Sequence, residues 1–115
     1  MSITWTPVCH LSQIARESGV AAWVHGEAVA VFRDHTDAVY ALSNIDPKTG
    51  ASVLSRGIVG TRRRVEGDVG FVASPLLKQP YRLSDGVCLD DETLKVATYE
   101  VRVVGGSIEV GARRD

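Results

Sequence analysis

Soft and borderline metal donors are scarce in this chain: 115 residues hold two cysteines, Cys9 and Cys88, and three histidines, His10, His25 and His35. The cysteines are too few for a disulfide framework and too far apart in sequence for a chelating pair. Reduced structural thiols are the expectation, with a disulfide only if the fold brings the two together. The histidines share no ligand-like spacing and read as surface or turn residues. There is no G-x-S-x-G, no phosphate-cradling loop and no dinucleotide fingerprint, so the common signatures of hydrolases, kinases and nicotinamide enzymes are missing. No apolar run approaches the roughly 18 to 20 residues of a membrane helix. The start MSITWTPVCH lacks the basic opening and apolar middle of a secretory signal, which makes a soluble cytoplasmic protein the expectation. An excess of either charge is also absent, with 13 Lys and Arg against 14 Asp and Glu for a formal net charge of -1. The single basic run, Arg62-Arg63-Arg64, is followed by Glu66 and Asp68 and reads as a solvated loop, with a partner contact second and a nucleic-acid surface a distant third. Asp90-Asp91-Glu92 lacks the alternating spacing of a calcium loop and reads as a solvated turn.

What the sequence does contain is a single core's worth of apolar residues, 44% hydrophobic against 23% charged, which predicts one domain over residues 1–115. Short runs rich in β-branched and aromatic residues, parted by turn residues, predict strands at Ile3 to Val8, Val20 to His25, Ala28 to Arg33, Val39 to Leu42, Gly70 to Ala73 and Tyr81 to Leu83. A turn at Gly26-Glu27 joins the second and third, and Asp34 to Asp37 forms the next turn. The clearest hairpin is TYEVRVV, Gly105-Gly106, SIEV, where two glycines supply the positive φ of a two-residue turn. Only Leu11 to Ser18 has helical character, with Ser12 as N-cap and Gly19 as stop. Gly111 to Asp115 reads as a frayed polar tail, and Trp5 and Trp23 as residues in or at the edge of the core. The fold class is all-β, sandwich or barrel.

Two loops are long in a chain of otherwise short turns, and long loops on a small rigid β scaffold are where function concentrates. Ser43 to Gly57 carries Asp46-Pro47-Lys48, Gly50 and Leu54-Ser55-Arg56-Gly57; Ser74 to Gly86 carries Ser74-Pro75-Leu76-Leu77-Lys78, Tyr81, Leu83 and Gly86. This framework resembles the Rieske domain, whose loops read N-x-C-P-H-x-G-A-x-L-S-x-G and C-P-x-H-G-x-x-F-x-L-x-x-G. The match is gapless in the second loop and has one extra residue between Ala51 and Leu54 in the first: Asn44, Pro47, Gly50, Ala51, Leu54, Ser55, Gly57, Pro75, Tyr81, Leu83 and Gly86 fall where the family has the same or a similar residue. The ligands are the exception. A Rieske centre takes two thiolates on one iron and two imidazoles on the other. The matching positions here are Asp46 and Lys48 in the first loop and Ser74 and Leu77 in the second. Lysine is an ammonium near neutral pH and leucine has no donor, so no metal site is expected.

A Rieske-like chain without the ligands is similar to one family above all, the small subunit of assimilatory NAD(P)H-dependent nitrite reductase. YALSNIDPKTGASVLSRGIVG and VASPLLKQPYRLSDGVCLDD carry that resemblance, which covers nearly the whole chain. It implies a Rieske-like fold with the two loops as a former cluster-binding subdomain. It also implies a non-catalytic subunit without cofactors of its own, beside a large subunit that carries FAD, an iron-sulfur cluster and sirohaem and reduces nitrite to ammonium in nitrate assimilation. The alternative is a free-standing Rieske-like interaction or scaffold module. No residue is assigned a catalytic role, and no contact with nucleic acid or membrane is expected. Leu77 is expected to turn inward and fill the vacated space. Asp46, Lys48, Arg56 and Lys78 are expected at the surface as a mixed-charge rim, and together with Leu77 they are the candidate partner-binding residues.

Overall fold

The computed structural model describes residues 4–114. In chain order the strands are β1 (Thr6–His10), β2 (Ser18–Val24), β3 (Glu27–Arg33), β4 (Val39–Ser43), β5 (Ile58–Arg62), β6 (Val69–Ala73), β7 (Pro80–Arg82), β8 (Thr98–Val104) and β9 (Ser107–Arg113), with short 3-10 turns at Leu11–Gln13 and Leu54–Arg56. Six strands form one nearly closed sheet in the order β1-β9-β8-β4-β3-β2, and β5-β6-β7 form a second. All pairings are antiparallel.

The sequence EAVAVFR of β3 shows how one strand serves two cores. Successive side chains of a strand point to opposite faces. Val29 and Val31 therefore join Ile14, Val24, Ile108 and Val110 in one cluster, while Ala30 and Phe32 join Leu42, Leu54, Val72 and Tyr81 in the other. All four residues from Val29 to Phe32 are fully buried. This second cluster is shared by both sheets and the Leu54–Arg56 turn, and so forms the floor beneath the two long loops. Each large side chain buried there contributes about 1.5 to 3 kcal/mol.

The terminal hairpin forms as its glycines predict, with Gly105 and Gly106 at φ 56° and 84°. Strand β9 then runs on to Arg113, and Gly111 lies under the Trp5 ring, where a Cβ would meet the indole at 2.9 Å. The expected frayed tail is therefore overturned through Arg114, whose N–H donates to the Thr98 carbonyl at 2.8 Å, with Asp115 outside the described residues. The β2–β3 turn is His25-Gly26, both at positive φ, one residue earlier than the expected Gly26-Glu27. The helical reading of Leu11 to Ser18 gives way to one short turn capped by His10, whose Nδ1 accepts the Ser12 N–H at 3.1 Å. Ser18 and Gly19 belong to β2. Pairing to β3 along all of β2 outweighs a weak helical preference. Strand β5 was not expected from the sequence: Gly57 and Gly60 break its apolar run, and only pairing with β6 declares it. Ile3 of the expected first strand lies outside the described residues. Trp23 departs from expectation as well. It is 73% exposed, whereas Trp5 packs at the core edge with the Arg102 guanidinium stacked 4.1 Å from its ring centre.

Candidate functional site

Both long loops close on the same hydrogen-bond frame. In the first, the Asp46 N–H donates to the Ala51 carbonyl and the Gly50 N–H to the Asp46 carbonyl, each at 2.8 Å. The Lys48 N–H donates to Asp46 Oδ1 at 2.8 Å. In the second, the Ser74 N–H donates to the Gln79 carbonyl at 3.0 Å and the Lys78 N–H to the Ser74 carbonyl at 2.9 Å. The Leu76 N–H reaches Ser74 Oγ at 3.4 Å. Donor and acceptor offsets are identical in the two loops. A proline, Pro47 or Pro75, follows the first residue in each, where its fixed φ suits the turn. The residue four places on is left-handed in each, Gly50 at φ 76° and Lys78 at φ 64°.

The loops meet at their first residues. The Ser74 hydroxyl donates to Asp46 Oδ2 in a short hydrogen bond, and both side chains are buried, Asp46 completely and Ser74 to within 1%. A buried carboxylate is tolerated because its oxygens have donors: the Ser74 hydroxyl on one, the Lys48 N–H on the other. Such a charge-assisted bond is worth about 1.5 to 3 kcal/mol.

Asn44 secures the first loop from below. Its Oδ1 accepts the Ser55 N–H at 2.6 Å, its Nδ2 donates to Ser52 Oγ at 2.9 Å, and its carbonyl accepts the N–H groups of Val53 and Leu54. The second loop stands on Tyr81, which is fully buried in the shared core. Its hydroxyl has no hydrogen-bond partner among the described residues, and burial, followed by the nearby Asp46 charge, pushes its pKa up to about 12. Gly86 closes that loop at φ 78°, where a Cβ would lie 2.1 Å from the Val96 carbonyl oxygen, so no other residue fits.

Two expectations about the tip are overturned. Asp46, expected on the rim, is inside. Leu77, expected inside, is 51% exposed, with Leu76 beside it at 48%. The reason is common to both: the small Asp46–Ser74 pair closes the space between the loops, so nothing is left for a leucine to fill. Lys48, Arg56 and Lys78 are exposed as expected. The two positions matched to cysteines are thus the buried, paired ones, and the two matched to histidines are the exposed ones.

The donor set does not fit a Rieske cluster. Two irons need two thiolates and two imidazoles, and the four positions offer a carboxylate engaged by two donors, an ammonium, a hydroxyl engaged as a donor, and a hydrocarbon. Cys9 and Cys88 are both free and sit in different core clusters. The Cys9 thiol is pushed upward in pKa by burial, which works against a reactive thiolate. A hollow of about 560 Å³ opens between Trp5, Tyr40, Leu83, Tyr99 and Arg114. No histidine, cysteine or lysine lines it, and its tyrosine hydroxyls already donate to Asp34 and Glu27. Elsewhere, Arg62 pairs with Asp90 at 2.7 Å and Arg63 approaches Asp68 at 3.9 Å, so part of the basic run is neutralised locally. Among the described residues no helix is long and apolar enough to cross a membrane.

Comparison with known proteins agrees with the fold. The pattern of the Rieske-like [2Fe-2S] domain matches residues 4–111. The NADH nitrite reductase small subunit of Escherichia coli K12 is 46% identical over 107 residues, spanning 92% of this chain and 95% of that one. The solved structure of the Escherichia coli protein NirD superposes with a TM-score of 0.84 at 43% identity, covering 96% of this chain and 98% of that one. A third relative is the NAD(P)H nitrite reductase large subunit of Klebsiella oxytoca, 38% identical over 107 residues that make up 93% of this chain but only 11% of that protein. The chain belongs to the Rieske-like domain family, among the small subunits of NAD(P)H-dependent nitrite reductases.

Proposed function

We propose that this chain is the non-catalytic small subunit of an NAD(P)H-dependent nitrite reductase and acts by binding the large subunit that reduces nitrite to ammonium. The observation that carries this reading is the Klebsiella oxytoca relative, in which a segment similar to 93% of this chain forms 11% of a large subunit. A domain that occurs covalently built into a large subunit in one organism is, as a separate chain, a candidate to dock on the same protein in another. The chemistry of the tip supports the non-catalytic half: none of the four positions offers a thiolate or an imidazole. The partner then carries FAD, sirohaem and the iron-sulfur cluster, and the complex works in the cytoplasm in nitrate assimilation.

The test is reconstitution with the cognate large subunit. The isolated chain is expected to be colourless and iron-free and to leave NADH and nitrite unchanged, while co-expressed tagged large subunit retains it through purification. Stoichiometric iron in the chain, turnover by the chain alone, or failure of the two subunits to associate would each overturn the reading.

A further inference from the structure

The exposed face of the tip gathers several large apolar side chains, although Trp23, Val65, Val103 and Val104 are exposed elsewhere. Leu76 and Leu77 are about half exposed at 48% and 51%, and Ile45, beside the buried Asp46, is 37% exposed. Pro47 and Pro75 are exposed beside them. The Asp46–Ser74 bond joins the two turns that carry these residues, so they form one crown. The apolar surface continues onto the small sheet, where Ile58, 74% exposed, pairs opposite Ala73, the residue before Ser74. Contiguous exposed apolar surface on a small domain marks an interaction site.

The same face also carries cations without an ion pair among the described residues, as Arg64 and Arg114 are elsewhere. Arg16, Arg33, Arg62, Arg82 and Arg102 each hold a carboxylate within 3 Å. Lys48, Arg56 and Lys78 have no ion pair among the described residues. Asp91 feels the Lys48 charge, which helps to lower its pKa after its own bonds to Thr93, but makes no ion pair with it. Lys48, Arg56 and Lys78 thus lie, without an ion pair among the described residues, on the two loops that carry the apolar crown, on a protein whose formal net charge is -1.

Lys78 adds a third observation. It occupies, at φ 64°, the place that Gly50 holds in the matching turn. A side chain in that conformation costs about 1 kcal/mol or more relative to glycine, so the ammonium is displayed at an expense to the fold.

On the reading that the large subunit is the partner, we propose that this crown is the docking face. Leu76 and Leu77 seat in an apolar hollow on the large subunit, and Lys48, Arg56 and Lys78 face carboxylates that rim it. The buried pair supplies rigidity: the crown is held in its bound shape before association, which spares ordering entropy. Apolar anchors at the centre set the lifetime of such a complex, and the surrounding charges set its association rate and salt dependence.

Binding of the purified chain to the cognate large subunit, followed by stopped-flow association kinetics and titration calorimetry at low and high salt, tests the assignment. Leu77→Asp is expected to weaken binding at least tenfold at either salt concentration. Lys48→Glu with Lys78→Glu is expected to slow association severalfold at low salt and to flatten the salt dependence. Lys78→Gly is expected to weaken binding while raising the melting temperature, a combination that no loss of fold can produce. Val104→Asp, at the far end of β8 from the tip, is the control and is expected to bind like wild type. If the wild-type chain binds and the three tip variants bind equally tightly, the docking face is wrong and the small-subunit reading survives. If the wild-type chain does not bind the large subunit at all, both fall.

Discussion

In the turn after β4 the left-handed position is filled by Gly50, and in the turn after β6 it is filled by Lys78. The backbone-to-backbone hydrogen bonds that close the two turns, Asp46 to Ala51 and Gly50 to Asp46 in one, Ser74 to Gln79 and Lys78 to Ser74 in the other, correspond one to one. The same frame thus hosts a residue suited to its backbone in one case and a strained one in the other. The first residues of the loops differ in the opposite sense, because Asp46 and Ser74 are chemically complementary and bind each other. The loops are therefore matched where they touch and mismatched where they face outward. The interior of the tip has been settled by stability, while its exposed rim carries choices that stability alone does not reward.

The comparison breaks most completely if the tip is given back a donor set. Asp46→Cys, Lys48→His, Ser74→Cys and Leu77→His together place thiolates at the two buried positions and imidazoles at the two exposed ones. Reconstitution with iron and sulfide is expected to turn the variant brown with about one two-iron cluster per chain. A colourless product that is otherwise folded would show that the loop spacing no longer suits the cluster.

Next in size is the contact itself. Asp46→Ala leaves the Ser74 hydroxyl and the Lys48 N–H without an acceptor and opens a small cavity. It is expected to cost about 3 kcal/mol, or roughly 10 °C in melting temperature for a domain of this size. Ser74→Ala is expected to cost somewhat less, and the double-mutant cycle to yield about 1 to 3 kcal/mol of coupling. Additive effects would mean the two loops are held together by something other than this bond.

A smaller effect, of opposite sign in the two loops, is expected at the left-handed positions. Lys78→Gly should stabilise by about 1 kcal/mol, and Gly50→Ala should destabilise by a similar amount, since any side chain is strained there. Urea unfolding of both variants checks this, and equal signs would end the equivalence of the two turns.

The smallest effect lies under the second loop. The Tyr81 pKa, pushed up to about 12, lies above its unfolded value of about 10. The folded state then holds the proton more tightly than the unfolded state. This contribution to stability is whole below pH about 10 and is lost as pH rises toward about 12. Tyr81→Phe removes both that loss and a buried hydroxyl without a partner. Its alkaline unfolding is expected to begin at higher pH, with stability at neutral pH unchanged or slightly raised. Tyr99, also pushed up to about 12 by burial and by its bond to Glu27, keeps its own contribution. An earlier alkaline transition in the variant would contradict the assignment.

Much of this molecule is legible in its order of residues. The all-β class, the terminal hairpin, the two long loops and the lack of cluster donors all follow from patterns spanning a few residues, because strand alternation, glycine turns and donor chemistry are local properties. Strand β5 was illegible because its apolar run is interrupted by glycine and its identity comes from pairing with β6. The exposure of Trp23 was illegible because it depends on which strand ends the sheet. The tip depended on tertiary structure most of all. Aspartate is almost never buried without a partner and leucine usually is buried, so by residue type alone Asp46 belongs outside and Leu77 inside. The arrangement is reversed by Ser74, a residue 28 positions away from Asp46. A hydrogen bond formed across the fold can reverse the preferences of single residues, because what decides the burial of a charge is whether its donors are in place.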